Sequence, residues 1–262
     1  MASASTVYLM YHELERPGRV LCQTARGYVR YVVSEADFRS QIAWLRAGAF
    51  RGSSVTEALA QELGGRRQVA MTFDDGCETD LVVAAPLLKD AEFNATFYVV
   101  AGFIGRRGYS SVEQLRQLRR LGFEIGCHSM THQYLPALSM ESLRVEIWDS
   151  KKLLEDVLGG RVDHFSCPGG RWDRRIARVA EEAGYRSVAT SRSGVNSAAD
   201  RFSLARVVIL RDTPLERFGR LCHADGLAAR RAREAVLNLA KTVLGDARYE
   251  RWRSVALRGK GA

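Results

Sequence analysis

The chain reads as an α/β protein built on a parallel sheet or barrel, and three observations carry that reading. Short apolar, β-prone runs alternate with amphipathic stretches along most of its 262 residues, and such alternation packs as a parallel sheet covered by helices. The length lies within the range of one barrel domain. The polar residues able to do chemistry follow the apolar runs, at the strand ends where barrels build their active sites.

Residues 7–11 read as the first strand, ending at His12. Residues 28–33 are apolar and β-prone, as an added hairpin strand would be. Ser34 caps a helix through Ala47, with Phe38, Ile42 and Leu45 at helical spacing. Residues 69–73 form the second strand. A helix follows over 81–91, where Pro86 implies a late start or a kink. Residues 95–100 are the third strand. Ser111 and Gln114 make a capping-box pair ahead of Leu115, Leu118 and Leu121, and Gly122 ends that helix. Residues 122–127 are the fourth strand. Ser139 caps a long helix with Leu143, Ile147, Leu154 and Leu158 on one face. A short fifth strand ends at Cys167-Pro168. Asp173 caps the next helix, closed by Gly184, and residues 187–190 and 205–210 give strands six and seven. Residues 215–221, 227–244 and 249–257 read as helices. The expected division is a barrel over 1–214 and a basic helical extension, packed on it, over 215–262.

Hydrophobic residues make up 46% of the chain and charged ones 26%, ordinary for a globular protein. No apolar run reaches the roughly 18 residues of a membrane-spanning helix. Residues 1–6 lack the basic and apolar regions of a secretory leader. The five cysteines include no C-x-x-C pair, which fits free thiols and a cytoplasmic setting. The net charge of +9 is uneven: from Arg201 onward 14 Lys and Arg stand against 6 Asp and Glu, a difference of +8. A basic tail suits an anionic membrane surface or a phosphorylated substrate, or is a solvated helical face; no nucleic-acid partner is expected.

Two motifs carry the chemistry. Thr72-Phe73-Asp74-Asp75-Gly76 sets two carboxylates side by side at a strand end, a costly arrangement unless a cation or a proton sits between them. An ordinary Asp-Asp-Gly turn is the plain alternative. His128-Ser129-Met130-Thr131-His132 follows another strand. Histidines at i and i+4 share one face of a helical turn and suit one metal. Two imidazoles and a carboxylate make a three-ligand, zinc-type site with a position open for water.

With these motifs the sequence resembles the polysaccharide deacetylases that carry a NodB-homology domain. Thr72–Gly76 matches their first motif, His128–His132 their second, and Phe165-Ser166-Cys167-Pro168-Gly169-Gly170 is similar to their third. The resemblance spans roughly residues 7–210. It implies a deformed (β/α) barrel of about seven parallel strands and metal-dependent removal of an acetyl group from an N-acetylated sugar. It also implies that Asp75, His128 and His132 hold one divalent ion (zinc foremost, cobalt or nickel as alternatives), that Asp74 is the general base, and that the Gly169 N–H helps hold the oxyanion. Pro168 and Gly170 are placed with the substrate. The substrate is expected to be a sugar nucleotide or a lipid-linked or oligosaccharide precursor of a surface glycan. A related amidohydrolase on a non-sugar amide or imide, or an inactive glycan-binding homologue, are the alternatives.

The sequence departs from the family in two places. Where the family carries an arginine two residues before the proline to orient the base, this chain has Ser166; Arg171 offers a charge from the other side, or simply opens the next helix. Leu221-Cys222-His223 has the letters of the family's Leu-x-His acid motif but lies inside a helical pattern. Strand one neighbours strand seven in a nearly closed barrel, so His12 is the preferred acid for the leaving amine and His223 its rival. His164 falls at the opposite end and reads as structural. Trp172 lines the sugar site or packs in the core. Cys77, Cys127 and Cys167 read as small buried packing.

Overall fold

The computed structural model describes residues 6–60, 67–196, 198–229 and 231–232. Seven parallel strands organise them: β1 (Val7–Tyr11), β2 (Gln68–Phe73), β3 (Thr96–Val99), β4 (Glu124–Cys127), β5 (His164–Ser166), β6 (Ser187–Ala189) and β7 (Val207–Val208). They pair in the order β7-β1-β2-β3-β4-β5-β6. First and last strands are therefore neighbours, with Leu9 opposite Val207. A lone parallel bridge between Ala189 and Leu204 brings the free edge of β6 toward the segment leading into β7. The sheet thus curls into an incompletely closed barrel, as the sequence led one to expect.

The strands read as unbroken apolar runs because both faces are covered; all five residues of β1 are buried. On the outer face a ladder of rings crosses β1 to β3. Tyr11 stacks on Phe73 at 5.2 Å, Phe73 lies 4.9 Å from Phe97, and Phe97 meets Phe123 at 5.4 Å. Burying each such ring contributes about 2–3 kcal/mol. Phe38 of helix α1 (Glu35–Ala47) closes over Tyr11 and Phe73. Tyr8, Ala70 and Tyr98 pack in a separate buried cluster with Ala189 and Leu204.

The caps are as expected. Ser34 Oγ accepts the Asp37 N–H at 3.0 Å, Ser111 and Gln114 complete a capping box on α3 (Val112–Arg120), and Asp173 caps α5 (Arg174–Glu182). Pro86 produces neither a late start nor a simple kink. A π turn, Asp80–Ala84, leads into α2 (Ala85–Asp90), and the proline lies in the first turn of that segment, where its missing N–H costs least. A second π turn, Val145–Asp149, precedes α4 (Ser150–Leu158). Residues 28–33 are not a hairpin strand. Arg26–Val29 is a helical turn, and Val33–Ser34 pairs in parallel with Leu14–Glu15. Arg51–Ser53, polar and only three residues long, adds an unexpected parallel strand on β2.

After β7, α6 (Leu215–Cys222) lies against α1. Phe218 is buried there, and a Cβ on Gly219 would stand 2.6 Å from Trp44. Most of the expected basic helical extension, including the helix over 249–257, lies outside the described residues.

Candidate metal centre and active site

β2 carries the two aspartates out of the barrel. The Asp74 N–H bonds the Tyr11 carbonyl at 3.0 Å, extending the ladder with β1. The backbone then turns left-handed at Asp75 (φ 81°) and Gly76 (φ 74°). That reversal lets neighbouring side chains, which a strand would send to opposite faces, reach one site. β4 delivers His128, whose N–H bonds the Val99 carbonyl at 2.8 Å.

Residues 128–132 are an open loop rather than the expected helical turn. The Glu146 carboxylate takes the N–H groups of Met130 and Thr131 at 2.9 Å each, and Ser129 Oγ accepts the His132 N–H at 3.1 Å. These bonds replace helical ones, and Ser129 (φ 70°) and His132 (φ 63°) become left-handed. Non-glycine residues in that conformation cost energy and gather at functional sites. Asp75, Ser129 and His132 put three of them around one cluster.

The ligand atoms of Asp75, His128 and His132 all fall within 4.8 Å of one another. Asp75 Oδ1 is 3.6 Å from His128 Nε2 and 3.3 Å from His132 Nε2. Yet this buried oxygen has no hydrogen-bond partner among the described residues. His128 Nδ1 meets the Ser166 carbonyl at 2.9 Å, which holds the ring proton there and leaves the Nε2 lone pair facing Asp75. Burial pulls His128 down to about 4, against the pull of Asp74, so the ring is neutral at pH 7. Burial alone would raise the Asp75 carboxyl, but His132, His12 and His128 hold it below its usual range. A carboxylate oxygen without a partner between two imidazoles is a donor set that fits a divalent cation.

Asp74 is held differently. Arg206 is buried, and its Nη1 and Nη2 donate to the two Asp74 oxygens at 2.7 and 2.8 Å. Its Nε donates to the Thr190 carbonyl at 2.9 Å and its Nη2 also to Ser166 Oγ at 2.8 Å. Burial would raise the Asp74 carboxyl; Arg206 overrides it and holds the group ionised. Arg206 thus does what Arg171 was considered for. Arg171 is exposed and stacks over Tyr134 at 4.0 Å instead. Arg206 could have been suspected, because an arginine inside the apolar run 205–210 must find a partner when the strand is buried.

These groups open on a cavity of ≈ 350 Å³ lined by His12, Asp74, Asp75, His128, His132 and Gly169 among others. Tyr28, Tyr31, Phe103, Tyr134 and Ser191 complete its walls and were not anticipated. His12 lies against Tyr31 with ring centres 4.8 Å apart, and its buried Nδ1 has no partner. His223 instead packs edge-on to Trp44 and Phe50, away from the cavity's lining residues.

The Pro168–Gly170 turn is shaped for the wall. Gly169 and Gly170 are left-handed at φ 60° and 64°. A Cβ on Gly169 would strike Tyr134 at 2.6 Å and one on Gly170 would strike Ser191 at 2.0 Å. Pro168, the first residue of the turn, is buried. Trp172 packs against the core beneath Arg192, whose guanidinium lies 4.6 Å from its ring, so it takes the core alternative.

His164 lies at the other end of the barrel, as expected. Its Nδ1 pairs with Ser187 Oγ at 2.8 Å and its Nε2 with Thr56 Oγ1 at 2.8 Å. Beside it Glu124 accepts the N–H groups of Val55 and Thr56 at 3.1 and 3.3 Å and the hydroxyls of Thr56 and Thr96.

The model of the polysaccharide deacetylase family matches residues 62–188. Among curated proteins, the peptidoglycan-N-acetylglucosamine deacetylase of Bacillus cereus is 34% identical over 121 residues, covering 46% of this chain and 54% of that protein. YxkH of Bacillus subtilis is 28% identical over 169 residues, covering 63% of this chain and 61% of its own length. The chain therefore spans less than two thirds of the length of these relatives. Among solved structures, the Streptococcus pyogenes deacetylase PplD in complex with acetate superposes with a TM-score of 0.74 at 24% identity, over 84% of this chain and 98% of that one. IcaB from Ammonifex degensii gives 0.70 at 24% identity, over 84% and 96%. Both structural likenesses speak for the fold. Motifs, barrel and family match agree: over residues 62–188 the chain is similar to the polysaccharide deacetylases.

Proposed function

We propose that this protein is a metal-dependent N-deacetylase that hydrolyses the acetamido group of an N-acetylated saccharide to amine and acetate. The observation that carries the reading is the buried, unpartnered Asp75 Oδ1 between two imidazoles, beside a second carboxylate that Arg206 keeps ionised. Asp75, His128 and His132 would hold the ion, with zinc the first choice and cobalt or nickel the alternatives. When bound, such an ion supplies Lewis acidity toward the acyl carbonyl and toward water.

The chain's own residues do the rest. Asp74, fixed by two Arg206 hydrogen bonds, accepts the proton of the attacking water. The Gly169 N–H, set in the wall by its left-handed turn, donates to the oxygen that gains charge. His12 gives its proton to the departing nitrogen, a task suited to an imidazole near neutral pH. Tyr28, Tyr31, Phe103 and Tyr134 offer aromatic faces to a pyranose ring. The Bacillus cereus relative is named for N-acetylglucosamine in peptidoglycan, which supports a glucosamine-type substrate in a cell-surface glycan or its precursor.

The test is acetate release from N-acetylglucosamine oligomers, peptidoglycan fragments and N-acetylated sugar nucleotides, with zinc, cobalt or nickel added. Release is expected from at least one, abolished by a chelator and restored by metal. The His128→Ala protein is expected to lose both metal and turnover. Full metal retention in that variant would refute the ligand assignment. Hydrolysis of a cyclic imide with no acetate from any saccharide would move the protein to the other amidohydrolase reading.

A further inference from the structure

A second cluster lies where the loop after β1 meets the segment after β2. Cys22 Sγ and Cys77 Sγ are 3.5 Å apart, and with the Glu13 carboxylate their ligand atoms fall within 4.8 Å of one another. Two thiolates on one tetrahedral zinc, each at about 2.3 Å, stand about 3.8 Å apart. The observed pair is close to that spacing, and each residue is already oriented. Glu13 is buried and accepts the Cys22 N–H at 3.1 and 3.0 Å and the Tyr28 hydroxyl at 2.8 Å. The Cys22 thiol also meets the Gly108 carbonyl at 3.0 Å, and Tyr28 Oη lies 3.6 Å from Cys77 Sγ. Every one of these partners is neutral or acidic.

The independent observation is Asp80. It follows Cys77 by one turn, its N–H bonding the Cys77 carbonyl at 3.0 Å. It is 1% exposed, and neither carboxylate oxygen has a partner among the described residues. Burial first, then Cys22, Asp75 and Glu13, drive its carboxyl far above the ordinary value, and it stands beside the three-residue cluster rather than within it. A buried carboxylate without a partner costs several kcal/mol. The hydrolytic site does not use it.

We propose that Glu13, Cys22 and Cys77 form a second metal site, for a thiophilic divalent cation of the zinc class, with the unpartnered Asp80 swinging in as its fourth ligand. Two thiolates and two carboxylates fill four positions, so the site is closed to water and structural. On binding, the two thiols and the Asp80 carboxyl release their protons. The ion then staples the 13–22 loop to the segment leaving Asp75 and Gly76, which steadies the strained turn that presents Asp75. The proposal stands independently of the hydrolytic reading.

The test uses the full chain, purified under reducing conditions, with metal counted by mass spectrometry and cobalt(II) as the spectroscopic probe. Wild type is expected to hold two equivalents and to show a thiolate-to-cobalt charge-transfer band, which a site of one carboxylate and two imidazoles cannot give. The His128→Ala/His132→Ala protein keeps one equivalent and the band. The Cys22→Ser/Cys77→Ser protein loses one equivalent and the band. Should that variant not fold, Asp80→Asn serves, with cobalt affinity expected to fall at least tenfold while the band persists at saturation. The proposal is overturned by a wild type without the band at saturating cobalt, by a band that survives loss of both cysteines, or by unchanged affinity in Asp80→Asn. Recovery of a Cys22–Cys77 disulfide from the metal-loaded protein overturns it as well.

Discussion

His128 and His164 are both buried histidines beside an acidic residue, at opposite ends of one barrel, and their surroundings differ in two respects. At the His164 end both ring nitrogens and both Glu124 oxygens have protein partners. At the His128 end Asp75 Oδ1 has none, and the backbone that presents it is left-handed. A saturated cluster stabilises a fold; an unsaturated one, held in place by strain, is stabilised only when something binds. Asp74 shows that the difference lies in each group's partners, not in the end of the barrel. It sits beside Asp75 yet is as fully paired, through Arg206, as Glu124 is through its threonines.

The largest effect expected from this comparison is on stability. Arg206→Met leaves Asp74 buried and unpaired and should cost about 3–5 kcal/mol. Glu124→Ala strips partners from Val55, Thr56, Thr96 and His164 at once and should cost about 3 kcal/mol, with metal content unchanged. Denaturant unfolding of metal-free protein measures both, and a neutral Glu124→Ala would erase the contrast between the two ends. Next comes His12→Ala, expected to lower turnover about 10²-fold, the usual scale of general acid catalysis, while His223→Ala stays near wild type. Rates at saturating substrate with metal content verified decide between them.

A further effect separates the ends by pH. His128 is pulled from 6.5 to about 4 and Glu124 from 4.5 to about 2 by folding, in each case against or with burial as its neighbours dictate. Burial leads at His128. At Glu124 burial would raise the carboxyl, and His164, Thr56 and Thr96 more than reverse it. Both folded values lie below the unfolded ones, so both contributions are present at high pH and are lost as pH falls. The His128 contribution goes between pH 6.5 and 4, that of Glu124 between 4.5 and 2, each on the order of 3 kcal/mol. Metal-free melting curves across these windows, with His128→Ala flattening only the upper and Glu124→Ala only the lower, test the assignment. Least of all, Asp75→Ala should leave metal-free stability within about 0.5 kcal/mol of wild type, because the side chain it removes is unpaired at one oxygen. A loss of several kcal/mol would show that Asp75 is a structural acid like Glu124.

What the sequence disclosed tracks how local the cause is. The caps at Ser34, Ser111, Ser139 and Asp173 depend on residues three apart or fewer and were all legible. Thr72–Gly76 and His128–His132 announced themselves because costly residues sit next to each other. The loop at 128–132 is not the helical turn its spacing suggested because its geometry is dictated by Glu146, 15 and 16 residues beyond the amides it holds. Arg51–Ser53 has no apolar pattern and becomes a strand only because β2 is there to pair with it. Arg206 was missed for the same reason on a larger scale: its partner lies 132 residues earlier. The meeting of Cys22 with Cys77 across 55 residues was equally out of view.

The placement of Arg206 also ties catalytic competence to the order of folding. Its strand pairs with the first one, so Asp74 receives its counter-ion only when the two ends of the sheet come together. Contacts that distant in sequence require a large loop to close and form late. Until then Asp74, the proposed general base, is a bare carboxylate in a half-formed interior, more costly to bury and easier to protonate. A partly folded intermediate with its first six strands in place would carry both motifs and remain idle. Onset of turnover during refolding therefore clocks barrel closure itself.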